Sequence, residues 1–192
     1  MKNRIKNIFD ESIKTKQNLL ETNLDNIINS SKILINTINS GNKIMLCGNG
    51  GSAADSQHIA TELTVRLKAS NKRKALSAIA LTTDSSHITA CANDFGFEHI
   101  FSRLVEALGN KNDVLIAIST SGNSENVINA VNTAKNIGIK TIGLLGKDGG
   151  KLKNLCDESI IVPNSDSGRI QESHILIGHI FCELIDKEVF NY

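Results

Sequence analysis

The chain has 192 residues, with 21 Lys plus Arg against 20 Asp plus Glu, five His, four Cys, one Pro and no Trp. That length supports one core of ordinary size, burying roughly 70% of the surface an extended chain exposes, and a net charge of +1 gives no global field to gather nucleic acid or an anionic membrane. Cys47, Cys91, Cys156 and Cys182 form no C-x-x-C pair, which excludes a zinc ribbon or a disulfide framework and reads as reduced, mostly buried thiols of a cytoplasmic protein.

The opening residues, MKNRIKNIFDESIK, are too polar and too acidic for a signal peptide. No later apolar run approaches the ~20 residues of a membrane helix. Ile5, Ile8, Phe9 and Ile13 recur at helical spacing, and Leu24, Ile27, Ile28, Leu34, Ile35 and Ile38 repeat the pattern after a break at Glu21-Thr22-Asn23. Thr22 followed by Asp25 resembles a capping signal. Residues 1–40 are thus expected to be an arm of two amphipathic helices, whose apolar stripes cover the rest of the chain, another subunit, or both.

From Lys43 the pattern changes. Short apolar runs at 43–47, 77–81, 114–118, 141–145 and 159–162 are each followed by turn residues, and helical stretches at 52–67, 95–108, 124–137 and 168–189 separate them. Runs apolar on both faces, linked by crossovers of a dozen residues or more, read as parallel strands covered by helices. The expected fold is α/β, a five-stranded parallel sheet flanked by helices over 41–192, preceded by the arm. No second core or low-complexity linker interrupts it, so one domain over 1–192 is expected.

Ligands of open α/β sheets bind beyond the carboxyl ends of the strands. After the first strand comes Gly48-Asn49-Gly50-Gly51-Ser52-Ala53-Ala54-Asp55. It fits G-x-G-x-x-G/A formally, but the acidic residue of a dinucleotide site is due about 20 positions on, and Asp84 comes later than that. A polar small-ligand loop, with glycine N–H groups close to an anion or hydroxyls, is the better reading. After the third strand comes Ser119-Thr120-Ser121-Gly122-Asn123-Ser124, opening a helix near Glu125. Hydroxyls and free N–H groups at a helix N-terminus suit a phosphate monoester. The loop has no lysine and no G-x-x-x-x-G-K-[ST], which excludes a nucleoside triphosphate loop, while an ordinary serine-rich cap is the plainer alternative.

His58 and Glu62 lie four apart on the helix after the glycine loop, about 6 Å along one face. They could bind a metal, act as base and orienter, or simply hydrogen-bond. Gln171 and His179 lie eight apart on the last helix, about 12 Å along its axis, and meet at one ligand only by leaning toward a midpoint.

Together GNGGSAAD, QHIATEL, NDFGF, ISTSGNS, GKDGG and RIQESHILIGH, in this order, resemble the sugar isomerase (SIS) domain family, and within it the phosphoheptose isomerases, over essentially the whole chain. The resemblance implies an SIS-type, flavodoxin-like three-layer sandwich, a homotetramer with active sites between subunits, and a sugar-phosphate substrate, with neither nucleic acid nor membrane as partner. It implies one zinc ion per subunit, held by His58, Glu62, Gln171 and His179. Substrate contacts fall to Asn49, Gly50, Gly51, Ser52, Glu62, Asn93, Asp94, Ser119, Thr120, Ser121, Ser124 and Gln171. The implied reaction is conversion of sedoheptulose 7-phosphate to an aldoheptose phosphate through a cis-enediol, with Glu62 as base, His179 as acid/base partner and zinc polarising the carbonyl. One departure is Gly168, where some members carry an acid before R-I-Q-E; Asp166 and Ser167 then read as a helix cap. Competing readings are a non-catalytic SIS-domain adaptor that associates with a replication initiator, another sugar-phosphate isomerase or regulator, and a dehydrogenase.

Overall fold

The computed structural model describes residues 1–192. Its elements run α1 (Lys2–Asn39), β1 (Ile44–Gly48), α2 (Gly51–Thr64), β2 (Ala78–Ala80), α3 (Ser85–Asp94), α4 (Ile100–Leu108), β3 (Val114–Ser119), α5 (Glu125–Ile137), β4 (Lys140–Gly146), β5 (Glu158–Val162) and α6 (Ser167–Phe190), with 3-10 turns at Phe97–His99 and Lys151–Asn154. The five strands form one parallel sheet in the order β2-β1-β3-β4-β5. No helix is long and apolar enough to cross a membrane.

Because strand side chains alternate between faces, the sheet builds a core on each side. On one face Ile44, Leu46, Ile116, Ile118, Leu144 and Ile160 pack under α1, α2 and α6, which contribute Leu19, Leu34, Ile59, Leu63, Ile177 and Phe181. On the other, Met45, Cys47, Leu115, Ala117 and Leu145 pack under α3, α4 and α5, with Cys91, Phe101, Val105, Val127 and Val131. Strands covered on both faces explain the unbroken apolar runs of β1 and β3, every residue of which is buried.

Two expected features are corrected. The arm is one continuous helix: Thr22 does not cap a second helix, because its hydroxyl donates back to the Asn18 carbonyl at 2.7 Å and the helix runs on. Asn23 serves the sheet instead, donating to the Ile161 carbonyl at 3.1 Å and accepting from the Ile161 N–H at 2.9 Å. One side chain thereby closes part of the free edge of β5. The helix expected at 95–108 begins only at Ile100, and α3 precedes it, started by the Asp84 carboxylate accepting from the His87 N–H at 2.9 Å. Asp84, the nearest candidate for a dinucleotide's ribose partner, is thus committed to a cap.

Candidate active site

β1 is flanked by β2 on one side and β3 on the other, so the chain reverses its direction of sheet growth there. The crevice beyond β1 and β3 is the place where such sheets hold ligands. The glycine loop after β1 and the serine loop after β3 both open onto it. They touch directly: the Asn49 and Asn126 side-chain amides bond reciprocally at 2.9 and 2.8 Å.

Several glycines are required by close approach. A Cβ on Gly48 would sit 2.9 Å from the Ile118 carbonyl oxygen and 2.7 Å from the Ser52 Cβ, so the first loop can hug β3 only with glycine there. A Cβ on Gly122, at φ +66°, would sit 1.9 Å from the Gly149 carbonyl oxygen. The loop after β4 thus buttresses the serine loop, and the Leu152 N–H donating to the Gly122 carbonyl at 3.0 Å and the Lys151 N–H donating to Asn123 Oδ1 at 3.1 Å tie the two together.

The serines are not spent on capping. Ser124 is the N-cap of α5, yet its side chain makes no cap bond and instead meets the Ser119 hydroxyl at 3.1 Å. The first N–H groups of α5 face the loop without a side-chain acceptor, and α2, which starts after Gly50, also lacks a side-chain cap. In contrast the Asp166 carboxylate caps α6 through the N–H groups of Gly168 and Arg169, at 2.8 and 3.1 Å, as expected where the family's acid is replaced by Gly168. Uncapped N-termini beside hydroxyls are suited to an anion.

α2 and α6 run side by side in the same direction. Gly51 lies against Gln171, whose Nε2 would be 2.5 Å from an added Cβ, and Gly178 lies against Ile59. Two turns along the seam from Gly51, His58 Nε2 is 2.9 Å from His179 Nε2 and 3.3 Å from Glu62 Oε1. His58 thus links the three side chains in two pairs, and no three of the chain's His, Cys, Asp or Glu side chains are arranged as a metal site. Ligand atoms of a tetrahedral zinc lie about 3.3 Å apart; the His58–Glu62 distance matches that spacing and the His58–His179 distance is shorter. Gln171 rests against Gly51, at the loop end of the same seam.

Arg73 fixes the far end of the seam. Its guanidinium donates to the Glu62 carbonyl at 2.7 Å and to the Leu63 carbonyl at 2.8 Å, and pairs with Asp186 of α6, which also accepts from Asn71 at 2.9 Å. This strut was not legible in the sequence, since the residues come from a loop and a helix over a hundred positions apart.

Asp55 lies one turn before His58 on α2. Its Oδ2 is buried without a partner, and burial pushes its carboxyl up to about 6 while His58 pulls the other way. His174 is fully buried; its Nε2 lies 2.9 Å from the Leu145 carbonyl, and burial depresses its pKa to about 4, leaving it a neutral tie between α6 and β4. Asn93 and Asp94 end α3, exposed, with Asn93 donating to Asp94 Oδ1 at 2.7 Å. Neither hydrogen-bonds to His58, Glu62 or His179, and they adjoin Phe95 and Phe97 in the chain, each 55% exposed.

The family model of the SIS domain matches residues 8–146. Phosphoheptose isomerase of Aliarcobacter butzleri is 52% identical over 189 residues, covering 98% of this chain and 99% of that one. The enzyme of that name from Nitratiruptor is 56% identical over 177 residues, covering 92% and 94%. Among solved structures, a phosphoheptose isomerase from Neisseria gonorrhoeae superposes with a TM-score of 0.91 at 43% identity, covering 97% of this chain and 98% of that one.

Proposed function

The chain belongs to the SIS-domain family and, within it, to the phosphoheptose isomerases, and from that premise we propose that it converts sedoheptulose 7-phosphate to D-glycero-D-manno-heptose 7-phosphate, the first step toward a nucleotide-activated heptose. The observation that carries the reading is that α2 starts at the uncapped glycine loop, which Asn49 ties to the uncapped start of α5, and two turns further on carries the carboxylate and imidazole that meet His179 of α6. The loops suit the phosphate and hydroxyls of a sugar, and the cluster suits proton transfer. A non-catalytic adaptor is not favoured, because it has no use for Glu62 and His179 together.

The chemistry follows from these groups. A 2-ketose becomes an aldose when a proton leaves C1, its electrons form the C1–C2 double bond of a cis-enediol, and a proton returns at C2 while another passes from O1 to O2. Glu62, whose side chain is 18% exposed and 3.3 Å from His58, has its backbone carbonyl tied by Arg73; we assign it the carbon-bound proton. His179, 2.9 Å from His58, takes the proton between the oxygens. Asn49, Gly50, Gly51, Ser52 and Gln171 hold the sugar, and Ser119, Thr120, Ser121 and Ser124 hold the phosphate with the N-terminus of α5. His58, Glu62, Gln171 and His179 are the residues to hold a zinc ion, which would polarise the substrate carbonyl. With the ion bound, Glu62 would serve as ligand or as base, not as both at once.

The reading extends to a cytoplasmic homotetramer with sites between subunits. Supporting it are four unpaired thiols, the exposed row Ile5, Phe9, Ile13, Leu20 and Leu24 along α1, and a groove of about 450 Å³ between α1 and α6 lined by Ile13, Leu20, Leu176 and Ile180. Asn93 and Asp94 fit the substrate of a neighbouring subunit in such an assembly.

The test is incubation with sedoheptulose 7-phosphate, with and without a chelator, followed by NMR for an aldoheptose phosphate. Conversion is expected, and its absence with every divalent metal tried rejects the proposal.

A further inference from the structure

Asn126 lies in the first turn of α5, only 3% exposed, and sequence reading gave it no role. Its amide and that of Asn49 form a closed pair, each donating one N–H and accepting one. Each primary amide has two N–H donors and a carbonyl with two lone pairs, so the pair leaves Asn49 one N–H and one lone pair. Turning either amide over would set N–H against N–H and carbonyl against carbonyl. The reciprocal bonds therefore decide which way the remaining donor and acceptor of Asn49 point.

The pair also bridges a break in the scaffold. Gly48 and Ile118 are in register on β1 and β3, and beyond them the two strands part into the glycine and serine loops. Asn49 and Asn126 join those loops across the crevice, one residue past the end of β1 and on the second residue of α5. Moving one loop without the other would strand a buried amide, which is costly.

We infer that Asn126 is a positioning residue for sugar binding: it presents the free amide N–H and carbonyl of Asn49 to the substrate and keeps the sugar-binding loop in step with the phosphate-binding loop. The inference rests on the isomerase reading for its ligand. Asn126 itself touches no reacting atom. Its effect therefore falls on ground-state binding shared with the transition state, raising KM while leaving kcat nearly alone.

The test uses N126L, which keeps the approximate shape of Asn126 but removes both its donor and its acceptor. Expected are a KM for sedoheptulose 7-phosphate raised about 10-fold or more and kcat within about threefold. In an N49A background N126L is expected to add less than about twofold, because it acts only through Asn49. In the NMR spectrum of the free protein, one slowly exchanging side-chain N–H of Asn49 is expected in the parent and lost in N126L, which takes away its acceptor. An unchanged KM in N126L, or effects of N49A and N126L that multiply, overturns the inference. If the parent protein turns over no sugar phosphate, the isomerase reading fails by itself; the amide signal then decides, its loss in N126L supporting the positioning role and its persistence or absence in both proteins overturning it.

Discussion

Replacing Arg73 by Met keeps most of the buried side-chain stem and removes only the guanidinium. Arg73 and Asp186 have side chains 0% and 3% exposed, so the substitution leaves a buried carboxylate with Asn71 as its one remaining side-chain donor. Breaking a buried ion pair from one side costs about 3–5 kcal/mol. The Leu63 carbonyl keeps the Leu76 N–H at 3.2 Å, but the Glu62 carbonyl loses its donor, adding about 1 kcal/mol because the end of α2 lies near water. For a domain of this size each kcal/mol shifts Tm by about 2–4 °C, so R73M should melt roughly 10 °C or more below the parent. Circular dichroism melts at fixed protein concentration measure this, the concentration being fixed because subunit association would shift Tm as well. Removing both charges in R73M/D186L should recover at least half of the loss, since no unpaired charge remains. A drop under about 2 °C for R73M, or a double variant as unstable as the sum of its singles, refutes the argument that this pair locks α2 to α6.

Other outcomes follow from the same geometry. His174 stays neutral in the fold down to about pH 4 while its unfolded-state value is near 6.5, so below pH 6.5 the unfolded chain binds a proton the native one refuses. Stability is therefore lost as pH falls through that window, by about 3 kcal/mol in total. In H174Q, whose amide can still donate to the Leu145 carbonyl, this part of the pH dependence should vanish from urea melts taken between pH 7 and 4. G122A should preserve the circular dichroism spectrum but weaken sugar-phosphate binding about 10-fold or more by calorimetry, because the new Cβ cannot coexist with the Gly149 carbonyl and the left-handed backbone is strained. E62Q should lose exchange of substrate carbon-bound hydrogen with deuterated solvent while its melt is unchanged; normal exchange would remove Glu62 from the role of base. Chelation should lower turnover in proportion to zinc released, and full activity of metal-free protein would count against the assigned ligand set.

Much of the fold was legible because parallel strands buried on both faces leave a signature in the chain itself. The runs around Met45, Leu115 and Leu144 lack the polar alternation of a half-exposed strand, and the glycine and serine loops follow the first two directly, where the ligand side of such a sheet must be. The long helix was misjudged at Thr22 and Asn23 because polar residues in a helical pattern read as a break, whereas here one hydroxyl bonds back along the helix and one amide reaches the edge of β5. The helix at Ser85–Asp94 was missed because it buries only Cys91 and so carries little periodicity.

The features readable along the chain are therefore local: strand and helix spacing, glycines where the backbone must turn, hydroxyls at helix starts, and His58 with Glu62 on one helical face. It takes the packed fold to show that His179 meets His58 across the α2–α6 seam, that Arg73 holds the end of that seam, and that Asn126 completes Asn49. Each of these contacts joins residues many positions apart, and the energy that selects them comes from burial against a particular neighbour, which no local pattern encodes.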